Sequence, residues 1–180
     1  MAASPDPSCV APIESLDDLI ARYRHRAYRF AALITRNDQE SADIAQEALV
    51  KAYRKADRFD AGKASYESWL WQIVLNVARD AGRAASSRRS LLERLGQEHA
   101  SQGHDDAELL AIRRLSDKEL VATVRRLPKR ARTLIALRFG ADLSFAEIGS
   151  QLGLSEAAAV MATRRALNVL RNQIEQEVTR

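Results

Sequence analysis

From about residue 14 onward the apolar positions recur at steps of three and four. Leu16, Leu19, Ile20, Tyr23, Ala27, Phe30 and Ile34 form the first such series, which predicts a long amphipathic helix with one apolar face, ended by Asn37-Asp38. A second helix is predicted to start near Ser41, with Ala45, Leu49, Ala52 and Ala56 along one side and Asp43, Gln46, Glu47 and Val50 along the other. The first side suits packing on neighbouring helices. The second sets two carboxylates one turn apart beside a small apolar residue, a patch for a basic helical partner or a plain solvated face. Next comes a turn-forming run rich in small residues, Arg58-Phe59-Asp60-Ala61-Gly62-Lys63-Ala64-Ser65, and then a third helix with Trp69, Ile73, Val77 and Ala81 on one face. At that spacing Trp69 reads as core. Trp71 points elsewhere, and the pattern leaves it open between core packing and base stacking.

Helical signals fade after Arg83. Ala84-Ala85-Ser86-Ser87-Arg88-Arg89 can prolong the third helix by a turn or two, whereas 96–106 is polar, with Gly, Ser and His, and reads as a linker. The expected fold class is all-α, two small helical domains joined by a flexible linker. The expected boundaries are a flexible tail over 1–13, a first domain over 14–90, the linker over 91–110 and a second domain over 111–180. A linker on the order of 20 residues, at up to about 3.4 Å each, reaches roughly 70 Å, so the two domains can contact separate sites on a long partner.

In the second domain Leu120, Val124 and Leu127 form an apolar stripe. Pro128 is placed at a first helical position, and Leu134, Ile135 and Leu137 lead to Gly140, a helix stop. Ser144-Phe145-Ala146-Glu147 is a capping box that opens a short helix through Leu152. Gly153 makes the turn, and Ser155 caps a longer helix from 156 to about 175. Helix, glycine turn and capped second helix is the helix-turn-helix arrangement, whose second helix enters the DNA major groove.

Composition sharpens this picture in two places. The 180 residues suffice for one medium or two small domains, and the 46% hydrophobic content can fill helical cores. The net charge of +4, from 28 Lys+Arg against 24 Asp+Glu, is mild, but its distribution is not. Between positions 113 and 138, Arg113, Arg114, Lys118, Arg125, Arg126, Lys129, Arg130, Arg132 and Arg138 meet only Asp117 and Glu119. Basic helices of that kind suit a polyanion such as DNA, the alternative being a solvated face.

Other chemistries find little support. The single cysteine, Cys9, excludes an internal disulfide and a cysteine-rich zinc site and points to the cytosol. No apolar run approaches the roughly 18 residues of a membrane span, and Met-Ala-Ala-Ser-Pro-Asp-Pro lacks the regions of a signal peptide, so membrane insertion is not expected. There is no Gly-rich phosphate loop and no metal-ligand spacing, and His25, His99 and His104 are scattered. No catalytic residue, metal or cofactor is expected.

In order, Asp43-Ile44-Ala45-Gln46-Glu47, Phe59-Asp60-Ala61-Gly62-Lys63, Trp69-Leu70-Trp71-Gln72-Ile73 and Asn76-Val77-Ala78-Arg79-Asp80-Ala81-Gly82-Arg83 resemble region 2 of bacterial RNA polymerase sigma factors of the extracytoplasmic-function (ECF) type. Residues 127–170 resemble the helix-turn-helix of region 4 in the same family. The resemblance implies an alternative sigma factor, a non-catalytic subunit that binds core RNA polymerase, supplies promoter recognition and melting, and is held inactive by an anti-sigma factor. Free, it is expected to be a cytoplasmic monomer.

The resemblance also implies roles for residues. Asp43, Gln46, Glu47 and Val50 would dock on the coiled coil of the largest polymerase subunit. Asp60, Lys63, Ser65, Asn76, Arg79, Asp80 and Arg83 would form the single-strand site for the -10 element of promoter DNA. Arg130, Arg132, Arg164, Arg165 and Arg171 would meet phosphates of the -35 element. The residue types suit these tasks. Melting requires a base to leave the stack, and holding it in a pocket offsets an unpairing cost of a few kcal/mol. A loop with Gly62, Lys63 and Ser65 can approach the backbone closely, Asn76 and Arg79 suit base edges and phosphates, and Asp80 and Arg83 can pair and fix each other. The acidic His104-Asp105-Asp106-x-Glu108 stretch would thread the nucleic-acid channel as the family's linker does, or act as a solvated tether.

One stretch departs from the family. Its members carry polar and basic residues on the exposed side of the recognition helix, near Val160, Met161 and Ala162, where this chain reads Glu156-Ala157-Ala158-Ala159-Val160-Met161-Ala162-Thr163-Arg164-Arg165. Ala and Val cannot donate hydrogen bonds to base edges, although they can contact a thymine methyl. Two consequences stay open. Arginines position the helix on phosphates with thin base readout, or a Val160-Met161 patch faces an anti-sigma partner. The second would make the chain a sigma-like decoy that binds an anti-sigma factor with weakened promoter reading. The intact loop and the 76–83 segment argue against it.

Overall fold

The computed structural model describes residues 15–35, 38–94 and 115–178. The expected tail and nearly all of the expected linker lie outside the described residues. Those described form helices α1 (Leu16–Ile34), α2 (Asp38–Arg54), α3 (Tyr66–Arg94), α4 (Leu115–Arg126), α5 (Lys129–Ile135), α6 (Phe145–Leu152) and α7 (Glu156–Val178). A 3-10 turn (Ala56–Arg58) follows α2 and a π turn (Ala136–Gly140) prolongs α5. No strand occurs among the described residues, as the all-α reading requires.

Ser15 starts α1 by accepting the Asp18 N–H at 3.1 Å, and Asp17 and Asp18 face the positive end of the helix dipole. The predicted face is buried at Leu19, Tyr23, Ala27, Phe30 and Ile34, but so are Tyr28, Ala31 and Ala32. The single-face reading fails because α1 is covered twice. α2 and α3 pack on one side, and the second domain packs on another. There Arg125 Nε donates to the Ala32 carbonyl at 3.0 Å.

The junction after α1 is tighter than expected. α1 ends at Ile34 with Thr35 as its cap, and Asp38 already belongs to α2. Ser41, the expected start of the second helix, is instead buried inside it, its hydroxyl 2.7 Å from that of Thr35. Ala45, Leu49 and Ala52 are buried as predicted. Ala56 is exposed in the 3-10 turn, because the α-helix has ended at Arg54.

On α3 the buried stripe is rotated from the predicted one. Leu70, Trp71, Val74, Leu75, Val77 and Ala78 are buried, while Trp69, Ile73 and Ala81 are half-buried. Trp71 is fully buried, its ring 5.3 Å from Phe30 and edge-on to Tyr23. Its indole N–H donates to Glu67 at 3.3 Å, so burial leaves no orphan donor. This settles Trp71 as core. α3 also runs on to Arg94, further past Arg83 than the sequence pattern implies.

In the second domain Val124, Leu127, Leu134, Ile135 and Leu137 are buried, but Leu120 is 47% exposed, its place in the stripe taken by Thr123. Pro128 stands just outside α5 as its N-cap, not at its first position. Gly140 does end the helical run, yet the left-handed residue is Asp142, with φ 57°. Gly140 has a different use. A Cβ there would lie 3.4 Å from Phe30 Cα and Leu33 Cδ1, so its smallness lets α1 and the π turn meet. Arg26 ties the same junction, with a bidentate pair to Glu67 at 2.9 Å and a hydrogen bond to the Ala141 carbonyl at 3.0 Å.

Candidate nucleic-acid interface

α2 separates its two sides cleanly. With Ile44, Ala45, Ala48, Leu49 and Ala52 buried, Asp43, Gln46 and Glu47 are left exposed together on the outside, with Val50 half-buried beside them. Lys51 donates to Glu47 at 2.6 Å. Such an exposed pair is held weakly and can be exchanged for a basic partner.

The loop before α3 is internally braced. Asp60 accepts the Gly62 N–H at 3.0 Å and pairs with Lys63 at 3.0 Å, and the Lys63 N–H closes a turn onto the Asp60 carbonyl. Asp60 thus shapes the loop, while Lys63 stays largely exposed. Ser65 caps α3 by accepting the Ser68 N–H at 3.1 Å. Beneath, Phe59, Tyr66 and Trp69 form an aromatic cluster with ring centroids 5.3 to 5.6 Å apart. Burial, and secondarily the neighbouring Tyr23, pushes the Tyr66 phenol up to about 12. Along α3, Asn76 is exposed and accepts from Gln72 at 3.1 Å, Arg79 is half-buried, and Asp80 and Arg83 pair as their spacing suggested.

The helix-turn-helix is built as read. Ser144 and Glu147 form the reciprocal capping box, Gly153 is left-handed at φ 66°, and Ser155 accepts the Ala158 N–H at 3.2 Å. Of the candidate arginines, Arg130, Arg164, Arg165 and Arg171 are exposed. Arg132 is a correction. It is only 7% exposed and reaches the Arg125 carbonyl at 3.4 Å, so it holds α4 to α5 and does not face solvent. The expectation about the recognition helix needs correcting too. Ala159, Ala162 and Ala166 are buried, and Val160 is half-buried. The outward face carries Ala157, Met161, Arg164, Arg165 and Asn168. Asn168, one turn beyond Arg164, is not among the residues the sequence pattern picks out. The signal for it is the helical register, legible only once the buried alanines are known.

Two family profiles match in chain order. "Sigma-70 region 2" covers residues 19–88, and "Sigma-70, region 4" covers residues 124–172. The chain belongs to the ECF-type sigma factors. It is similar to ECF RNA polymerase sigma factor SigW of Bacillus subtilis, 26% identical over 171 residues that span 89% of both chains. It is likewise similar to the ECF RNA polymerase sigma-E factor of Escherichia coli, 27% identical over 172 residues, 90% of this chain and 87% of the other. Among solved structures, the sigma factor RpoE from Bartonella quintana, in complex with the anti-sigma factor NepR, shares the fold. Its TM-score is 0.68 at 18% identity, covering 91% of this chain and 98% of that one. This sigma factor is therefore a non-catalytic subunit of RNA polymerase acting in transcription initiation. Among the described residues no helix is long and apolar enough to cross a membrane.

Proposed function

We propose that this sigma factor docks on core polymerase through Asp43, Gln46, Glu47 and Val50, and opens the -10 element with Asp60, Lys63, Ser65, Asn76, Arg79, Asp80 and Arg83. Arg130, Arg164, Arg165 and Arg171 position the second domain on the phosphates of the -35 element. Within the -10 set, Asp60, Asp80 and Arg83 act chiefly by bracing the loop and helix. Lys63, Ser65 and Asn76 supply donors to DNA. The protein works in the cytoplasm, as a monomer when free, under the control of an anti-sigma factor such as the partner that NepR is for the Bartonella protein.

The observation that carries this reading is the clean split of α2, whose packing side is wholly buried while its two acids and Gln46 stand exposed together. The decoy alternative loses most of its support. It rested on an apolar recognition helix, and Ala159, Ala162 and Ala166 are apolar because they are core. What remains outside, Met161, Arg164, Arg165 and Asn168, can contact a thymine methyl, phosphates and base edges.

The test is run-off transcription by core polymerase with and without this protein, on fragments of the gene's own upstream region, with association scored in parallel. Specific transcripts are expected. Association without opening or transcripts on any fragment favours the decoy.

A further inference from the structure

On α3, next to the residues proposed to read the -10 strand, two side-chain amides are paired. Gln72 and Asn76 stand one turn apart, and Gln72 Nε2 donates to Asn76 Oδ1 at 3.1 Å, a pairing that the i,i+4 spacing favours on a helix. Gln72 is half-buried and Asn76 is exposed, so the inner amide is the anchor and the outer one is what it holds. An asparagine carries its acceptor and its donor on opposite branches of one planar amide, and the turn of that amide decides which of them meets a ligand. Here Oδ1 faces Gln72. Among the described residues no hydrogen bond engages Asn76 Nδ2, which leaves its two N–H groups for a ligand.

We infer that Gln72 is a positioning residue for promoter reading. It holds the Asn76 amide with the N–H groups outward, so that the -10 strand is read at this point through a hydrogen-bond acceptor on the base. This rests on the reading of Asn76 as part of the single-strand site. Without the anchor, a half turn of the amide would present Oδ1 in place of Nδ2 and ask the base for a donor. The bases differ in that respect, since thymine O4 and guanine O6 accept where cytosine N4 and adenine N6 donate. An amide free to turn serves either kind and discriminates poorly. Gln72 thus contributes selectivity through Asn76, without a contact of its own to DNA.

The experiment uses holoenzyme, assembled from core polymerase and the full chain. The probe is a pool of forked duplexes built on the gene's own upstream region, with a short randomised single strand at the -10 end. Bound DNA is recovered and sequenced. Position 72 carries one of two replacements that suit a helix. Lysine in Gln72→Lys only donates, so it holds Oδ1 as glutamine does. The carboxylate in Gln72→Glu only accepts, so it draws Nδ2 inward and turns Oδ1 out. Asn76→Ala is expected to flatten the base preference at one position of the strand. At that position Gln72→Lys should keep the wild-type preference. Gln72→Glu should lower the wild-type base by about fivefold against the others, the worth of one hydrogen bond. Weaker binding of every DNA by the added carboxylate does not move that ratio. A preference retained in Gln72→Glu, or lost equally in Gln72→Lys and Gln72→Glu, overturns the inference while Asn76 keeps its place in the site. Failure of the Asn76 reading is distinguishable. Asn76→Ala would then leave every position as in the wild type, and the inference would fall with it.

Discussion

Gly149 and Leu154 meet backbone to backbone. The Leu154 N–H donates to the Gly149 carbonyl at 2.9 Å, and a Cβ on Gly149 would stand 2.6 Å from the Leu154 carbonyl oxygen. The turn between α6 and α7 therefore has no room for a methyl group at 149, although Gly149 itself is helical and needs no unusual φ. Gly149→Ala is expected to force the two helices apart and to cost about 1–3 kcal/mol, as overpacking does. Chemical denaturation followed by circular dichroism measures it. Gly153→Ala meets no atom within 4 Å and is expected to cost only its left-handed strain, about 1–2 kcal/mol.

The two tryptophans should separate in the same assay. Trp71 is fully buried between Phe30 and Tyr23, so Trp71→Ala is expected to cost about 3–5 kcal/mol. Trp69 is half-buried against Phe59 and Tyr66, and Trp69→Ala should cost clearly less. Equal costs would contradict the observed register of α3.

That register shows what could be read from the sequence and what could not. Elements whose signals are local came through, among them the capping box at Ser144 and Glu147, the left-handed Gly153 and the Ser155 cap. The residues misassigned by pattern are those whose surroundings come from far along the chain. Ala32 is buried where Arg125 of the second domain reaches its carbonyl, and Leu120 is exposed while Thr123 is buried and bonded to Glu177 on α7. Among the candidate site residues, the exposed acids of α2 were legible because a two-sided helix shows its outer face by exclusion. Arg132 was not, since a buried arginine differs from an exposed one only in what surrounds it.

Docking can be tested by charge. Asp43→Lys with Glu47→Lys leaves the buried side of α2 untouched and is expected to preserve helical circular dichroism while abolishing co-elution with core polymerase. Lys51, now facing lysine at position 47, adds a like-charge pair worth a few tenths of a kcal/mol, too little to unfold the domain. Full co-elution of the folded variant would remove the assignment of α2.

Salt dependence divides the arginines. Arg164 and Arg165 are exposed on α7, and each phosphate contact contributes about 0.9 to the slope of log affinity against log salt. Replacing both with Ala should lower the slope for duplex DNA by about 2. Arg132→Ala should leave the slope alone and lower the melting temperature instead, because its guanidinium is inside, against the Arg125 carbonyl. A slope that responds to Arg132 and not to Arg164 or Arg165 would place the DNA on another face.

Acid should act on both domains through Glu147. Partial burial pulls its carboxyl upward, but hydrogen bonds from Ser65 Oγ, the Ser144 N–H and Ser144 Oγ outweigh that and hold it below its ordinary value of 4.5. A depressed carboxylate contributes stability that is present above the unfolded value and is lost as pH falls through the folded one. Two of its donors belong to the α6 cap and one to the loop before α3, so protonation weakens the cap and that contact together. As pH is taken below 4.5, the melting temperature followed by circular dichroism is expected to fall as these bonds are lost. With Glu147→Gln the chain has no such group to titrate at this position, and its melting temperature should change less over the same range. A pH response of equal size in that variant would assign the acid sensitivity to other carboxylates.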